Sequence, residues 1–342
     1  MNMMPSKKSY LLFLGLLSSV ALFAQADSAQ YFLKKGIEEK TGRRFRSAEL
    51  SFVSGLRFAP DNKEMLALLA ETYKEQYKYN DARETYLKIA KSNPADPSVL
   101  RNLMLISFNM HKWNDAIQYA EKLPSDSSTT YIIGRSQYEL ENYGEAVKNL
   151  LLAEKAGSRN AEVPYYLARS YMDQNNYRQS AAAFERAIAI DTSRANWVYE
   201  TSLAFYAVPD YNKSLQYMLL AGSRGLPRSN DYLENLANVY VRTNQSPEAI
   251  KLFKEILVKK PGDQEILYQL AQSYYQTKQY DDAIANWNKV VTNDPSNAQA
   301  MYMMGLSYQK KGDMAKGTQL CEQAIKLDPS LKNLRQERKS EF

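Results

Sequence analysis

The sequence predicts an all-α protein, a solenoid of about nine stacked helix hairpins. Two observations predict this fold class. A small residue recurs about every 34 residues through almost the whole chain, and its neighbours three residues before and four residues after are apolar and mostly aromatic, with Ser246 as the polar exception. Spacings of three and four put these side chains on one face of a helix. A fixed internal period of this length is typical of repeat arrays.

The stretch KQYDDAIANWNKVVTNDP, residues 278–295, shows the pattern most plainly, with Tyr280, Ala283 and Trp287 on one helix face and Pro295 closing the segment. The small residues are Ala48, Ala82, Ala116, Ala146, Ser180, Ser214, Ala249, Ala283 and Gly317. Their successive steps are 34, 34, 30, 34, 34, 35, 34 and 34 residues. The sequence therefore predicts nine equivalent helices.

Another helix is predicted to precede each of these. In the eighth unit it carries Leu267, Leu270, Ala271 and Tyr274, which form one apolar stripe, and a polar turn over residues 276–279 follows it. Each unit is then a helix hairpin whose apolar face needs a neighbour. The predicted units are residues 29–62, 63–96, 97–126, 127–160, 161–194, 195–229, 230–263, 264–297 and 298–331.

A 34-residue period with small, aromatic and proline positions in phase resembles the tetratricopeptide repeat (TPR). The resemblance implies a right-handed superhelical solenoid whose first helices line a concave face, where segments of partner proteins lie. One subtype of the family grips a C-terminal carboxylate with lysine and asparagine on its first unit. Leu33 and Ile37 occupy the matching places here, so that subtype is not indicated.

The N-terminus has the features of a secretory signal peptide over residues 1–26. Lys7 and Lys8 precede an apolar run from Leu11 to Phe23, and residues 24–26 read Ala-Gln-Ala. The run is shorter than the roughly 20 residues of a membrane span. We therefore expect cleavage near Asp27, export, and no membrane span afterwards; retention as an uncleaved anchor is the alternative. The periplasm is the expected location, with outer-membrane association or secretion as alternatives.

Charge and single residues exclude several function classes. Removing residues 1–26 lowers the formal charge from +6 to +4, since it removes two lysines and no acid, and this small surplus does not indicate nucleic-acid binding. The one histidine, His111, is expected in an exposed turn, and the one cysteine, Cys321, in the core. Neither suits a nucleophile–base pair or a His/Cys metal site, so no catalysis, metal or cofactor is predicted.

Two interruptions divide the array. Residues 124–130 read PSDSSTT, and residues 221–230 contain two glycines and a proline. We interpret the first as a loop variation, with a hinge between units 1–3 (29–126) and units 4–9 (127–331) as the alternative. Residues 332–342 are expected to form a polar tail or a short capping helix.

Helix periodicity predicts which side chains of the first helices face a partner. The candidate residues are Tyr131, Arg135, Tyr138, Tyr165, Arg169, Met172, Tyr199, Tyr206, Tyr268, Tyr275 and Tyr302. Tyrosine offers rigid contact area with a polar tip, although each ring also suits structural packing. Arg135 and Arg169 occupy equivalent places and are expected to form a positive ladder for a carboxylate; alternatively, they pair with Glu139 or Asp173.

The sequence thus favours a non-catalytic scaffold or adaptor of the bacterial cell envelope. Its expected partners are envelope proteins or their peptide segments, in an outer-membrane assembly, secretion or transport complex. The alternative is a periplasmic binding protein that holds a peptide or glycan in the tyrosine-lined groove.

Overall fold

The structure, a computed structural model, describes residues 26–332 and is all-helical over this range, with eighteen α-helices and no β-strand. The predicted signal peptide, apart from Ala26, and the predicted tail after Lys332 lie outside the described residues. The helices form nine consecutive hairpins, which confirms the predicted fold class.

We call the first helix of each hairpin its A helix and the second its B helix. The A helices are α1 (26–41), α3 (Lys63–Glu75), α5 (Pro97–Asn109), α7 (Ser127–Glu139), α9 (Glu162–Asp173), α11 (Ala195–Ala207), α13 (Asn230–Arg242), α15 (Gln264–Gln276) and α17 (Ala298–Lys311). The B helices are α2 (Phe45–Leu56), α4 (Tyr79–Ala90), α6 (Trp113–Ala120), α8 (Tyr143–Lys155), α10 (Tyr177–Ile190), α12 (Tyr211–Ser223), α14 (Ser246–Lys259), α16 (Tyr280–Asn293) and α18 (Met314–Leu327).

Each B helix begins at the residue three positions before the repeated small residue, because the chain reverses immediately before it. A residue with positive φ lies two positions ahead of every B-helix start, and only in the last hairpin is it a glycine, Gly312. In the eighth hairpin this residue is Lys278, at φ 62°. A left-handed conformation strains most residues that have a β-carbon, although asparagine tolerates it. The fold therefore imposes this turn on residues such as Lys278 that do not favour it, while Asn175 and Asn244 suit it better.

The hairpins are held together by the side chains that define the repeat. Ala283 is fully buried on α16, which lets α15 approach closely, and Trp287 is fully buried one turn later with its ring edge-on to Tyr268 at 4.7 Å between centroids. Burying a large apolar side chain contributes about 1.5–3 kcal/mol. The two helices of the last hairpin approach closely, since a β-carbon added to Gly317 would lie 2.5 Å from the carbonyl oxygen of Gly305.

Both interruptions in the sequence are ordered helix ends. The third hairpin is short because α6 has eight residues, and α7 then begins with a capping box in which Asp126 accepts from the Thr129 N–H at 2.8 Å and the Thr129 hydroxyl accepts from the Asp126 N–H. After α12, the Leu226 N–H donates to Ala221 and Gly225 takes φ +88°, which terminates the helix before Pro227.

Within the described residues, the chain divides into two compact units, residues 26–170 and 171–332. The predicted boundary at residue 126 and the hinge at residues 124–130 stay predictions. Among the helices of residues 26–332, none is long and apolar enough to cross a membrane.

Candidate partner-binding surface

In residues 26–170, the predicted binding residues of α7 and α9 contact one another. The Arg135 guanidinium carbon lies 3.4 Å from the centroid of the Tyr166 ring, and its Nη2 is 2.5 Å from Glu139 Oε1. Its side chain is 19% exposed. Of the two alternatives for this arginine, the structure shows the intramolecular ion pair with Glu139.

Arg169 also contacts the tyrosines around it. Its Nη1 donates to the Tyr165 hydroxyl at 3.1 Å, and its guanidinium carbon lies 5.8 Å from the Tyr138 ring centroid. Tyr165 is only 6% exposed, because Arg169 and the edge of Tyr166 cover it. The expectation that Tyr165 faces a partner is therefore wrong.

Tyr131 completes this group and donates a hydrogen bond to Glu162 at the start of α9. Burial, and then the bond to the Glu162 carboxylate, raise the pKa of the Tyr131 phenol. We define the arginine–tyrosine cluster as Tyr131, Arg135, Tyr138, Tyr165, Tyr166 and Arg169. Its contacts join α7 to α9, so it contributes to the packing of successive A helices.

In residues 171–332, most of the predicted residues lie half-buried on the A helices; these are Met172, Tyr199, Tyr206, Tyr268 and Tyr275. Tyr302 is the exception. It is 3% exposed because it packs into the core of the last hairpin with Cys321, Ala324 and Leu331. The expectation that Tyr302 faces a partner is wrong.

The A helices α11, α13 and α15, together with the start of α12, line a cavity of about 500 Å³, which we call the amide pocket. Five side-chain amides line it, those of Asn238, Asn244, Gln269, Gln272 and Gln276. Tyr206, Tyr211 and Arg242 are also part of its lining, and Val241 is its one aliphatic side chain. The pocket is therefore polar, and none of its described lining residues is acidic.

The amides of the pocket differ in what they already bind. Gln276 Oε1 accepts from Ser246 at 2.8 Å, and Gln269 Nε2 donates to Glu265 at 2.9 Å. Among residues 26–332, no hydrogen-bond partner is found for the side chains of Asn238 and Gln272. Each carries a donor and an acceptor. Two adjacent A helices thus present amides that are available to a ligand.

Arg242 ends α13 at the edge of this pocket. A hydrogen bond with Tyr206 raises the pKa of its guanidinium, and its guanidinium carbon lies 5.7 Å from the Tyr211 ring centroid. Tyr206 and Tyr211 pack with 5.4 Å between their centroids. The arginine is thus positioned by two phenols, and neither is a charged partner.

Sequence reasoning predicted Tyr206 but missed Asn238 and Arg242. A signal was present, because Arg135, Arg169, Leu203, Asn238 and Gln272 occupy one repeat position in successive units, with steps of 34, 34, 35 and 34 residues. Extending that series through the seventh unit would have found Asn238. Arg242 lies one helical turn further along the same helix.

The one histidine and the one cysteine of the sequence, His111 and Cys321, lie where they were predicted. His111 is exposed in the turn before α6, where its ring stacks on Trp113 at 5.0 Å between centroids. Cys321 is 4% exposed in the core. Within residues 26–332, no group of three or more His, Cys, Asp or Glu side chains converges to hold a metal ion.

Family comparisons agree with the observed hairpins. Models described as a TPR repeat and as tetratricopeptide repeats match residues 271–312, 298–331, 131–195 and 165–222. The chain is a tetratricopeptide repeat protein. The model of anaphase-promoting complex, cyclosome, subunit 3 matches residues 211–290 of this TPR protein. No curated protein sequence matches the chain significantly.

One solved structure shows the same fold, and two others are similar to parts of the chain. A tetratricopeptide repeat protein from Parabacteroides merdae is 15% identical, and the match covers 72% of this chain and 99% of that one with a TM-score of 0.50. The C-terminal part of a TPR repeat-containing protein from Cytophaga hutchinsonii is 17% identical, with 66% and 94% covered and a TM-score of 0.49. YrrB, a TPR protein with an unusual peptide-binding site, is 20% identical, with 57% and 100% covered and a TM-score of 0.48.

Proposed function

We propose that this TPR protein is a non-catalytic adaptor that binds extended segments of partner proteins on the A helices of residues 171–332. TPR proteins generally mediate protein–protein interactions. The observation that carries the proposal is the amide pocket, which is lined by the side-chain amides of Asn238 and Gln272. Neither amide has a hydrogen-bond partner within residues 26–332.

The chemistry of the pocket suits an extended segment better than an amphipathic helix. A bound helix needs an apolar groove for its side chains, whereas this pocket has one aliphatic lining residue, Val241. An extended backbone carries unpaired N–H and C=O groups, and a side-chain amide can bind both. Tyr206 and Tyr211 add rigid contact area at low entropic cost.

We further propose that the adaptor works in the bacterial cell envelope, in an assembly, secretion or transport complex. The support is the signal-like segment before residue 27. Mass spectrometry of the native protein tests this step. A chain that begins near Asp27 in the periplasmic fraction supports export with cleavage, whereas an intact N-terminus in the membrane fraction supports the anchor alternative.

Capture from a cross-linked envelope extract tests the adaptor role, with residues 27–342 as bait. The comparison bait carries Asn238→Ala and Gln272→Ala, which remove the two amides without adding charge. Arg178→Gln, an exposed α10 change outside the pocket, serves as the matched control. We expect a short set of envelope proteins that the control bait retains and the double variant loses. Retention of the same set by the double variant would contradict a role for the pocket.

The pocket also supports the alternative of a small peptide or glycan as the ligand. Its volume of about 500 Å³ lies within the roughly 300–1,000 Å³ range of small-molecule sites. Thermal stabilisation by a short peptide or an oligosaccharide, without any captured protein, would favour this second function. Stabilisation that persists in the Asn238→Ala, Gln272→Ala variant would place that ligand elsewhere.

A further inference from the structure

We infer that the amide pocket selects partner segments by an acidic side chain, whose carboxylate binds Arg242. The inference rests on the proposed function, since it specifies the segment that the same pocket takes. It makes Arg242 the residue that determines specificity, with the neighbouring amides binding the backbone of the segment.

The first argument is the unbalanced charge of Arg242. Two other arginines of the same compact unit have acidic partners, since Arg194 lies 3.0 Å from Asp191 and Arg228 lies 2.8 Å from Glu255. Arg178 and Arg224 have none among the described residues, but neither lines the pocket. Within residues 26–332, no carboxylate lies within ion-pair distance of Arg242, which instead contacts the phenols of Tyr206 and Tyr211. A guanidinium fork that is positioned but uncompensated is suited to a two-bond contact with a carboxylate.

The second argument is the place of Arg242 within the pocket. It lies on α13, the middle of the three A helices, with Gln272 on α15 to one side and Tyr206 on α11 to the other. A segment that reaches both neighbouring helices therefore passes Arg242 midway. This arrangement favours the side chain of an internal aspartate or glutamate over the carboxylate at the end of a chain.

The third argument is the charge at the opposite end of the same helices. Asp231 and Glu234 lie in the first turns of α13, and Glu265 lies in the first turn of α15. Eleven residues separate Asp231 from Arg242, roughly 16 Å along the helix axis. An acidic side chain is repelled at the N-terminal end and attracted at the C-terminal end, so the two ends of the A helices are not equivalent for a charged partner.

Two synthetic libraries of acetylated, amidated decapeptides test the inference on residues 27–342. Both libraries have random residues at every position except the central one. That central residue is Glu in one library and Gln in the other. We expect the protein to enrich Glu-centred peptides and to bind them about tenfold or more tightly than their Gln counterparts. Arg242→Gln should abolish that difference, Arg242→Lys should retain part of it, and Arg178→Gln should leave it unchanged.

The outcomes separate the inference from the proposed function. Equal binding of Glu and Gln peptides, with loss of both in the Asn238→Ala, Gln272→Ala variant, would overturn the inference and leave the adaptor function standing. If no peptide of either library binds, both proposals fail. Circular dichroism melts of each variant check that it folds.

Discussion

The arginine–tyrosine cluster leads to a quantitative prediction about stability. Arg135→Met removes a guanidinium that covers Tyr166 at 3.4 Å and pairs with Glu139 at 2.5 Å. A cation–π contact of this kind contributes about 1 kcal/mol. The ion pair contributes at most about 1 kcal/mol more, because the two side chains are 19% and 30% exposed and water screens their attraction. We therefore expect Arg135→Met to cost about 2 kcal/mol.

Thermal unfolding followed by circular dichroism measures this cost. At about 2–4 °C per kcal/mol, the melting temperature should fall by about 4–8 °C. A double-mutant cycle with Glu139→Gln isolates the ion pair and should give a coupling energy of about 0.5–1 kcal/mol. Binding of a segment in the amide pocket should not change.

A melting temperature within 1 °C of the unsubstituted protein would refute this reasoning, because it would mean that the guanidinium is exposed to water and free to bind a partner. Lost peptide binding by a variant that still melts normally would have the same implication. The sequence-based hypothesis of an arginine ladder for partner carboxylates would then be favoured again.

Three further predictions concern the packing, the turns and a helix cap. Trp287→Ala should lower the free energy of unfolding, measured by urea titration, by about 3–5 kcal/mol because the ring is fully buried. Val258→Ala, at a residue 82% exposed, should lower it hardly at all, and similar losses in the two variants would contradict the assigned core. Lys278→Gly should raise the melting temperature, because glycine relieves the backbone strain at φ 62°, worth about 0.5–1 kcal/mol. Lys278→Ala should not raise it, and equal effects of the two substitutions would argue against backbone strain. The Thr129 N–H lowers the pKa of the Asp126 carboxyl, so this cap stabilises the protein above about pH 4 and is lost as the pH falls through the lowered pKa. In an acid titration, Asp126→Asn should accordingly lose less stability below about pH 4 than the unsubstituted protein, and an identical acid transition would exclude this carboxylate as the titrating group.

The hairpins could be predicted from the sequence because their determinants are local. Ala283 and Trp287 are spaced for one helix face, and the residue three positions before Ala283 begins the helix in the structure as in the pattern. Such patterns need no knowledge of the neighbouring units. The close packing of the last hairpin could not be predicted from such local patterns, since it depends on Gly305 of α17 lying against Gly317 of α18.

Exposure on the A helices was less predictable, because it depends on how closely successive A helices approach. Tyr131 and Tyr165 occupy the same repeat position, yet Tyr131 is half-buried and Tyr165 is 6% exposed. Periodicity assigns a side chain to a face but does not determine what covers that face. The same reason explains why Arg135 was predicted as a ligand-binding group and is found over Tyr166.

The buried thiol of Cys321 has a practical consequence for spectroscopy. It is the one cysteine of the sequence and is 4% exposed, so a maleimide dye will react far faster with a cysteine placed at the surface. Asn244 is exposed and lines the amide pocket. A fluorophore attached through Asn244→Cys would therefore report the arrival of a segment directly, in a chain that needs no prior removal of its native thiol.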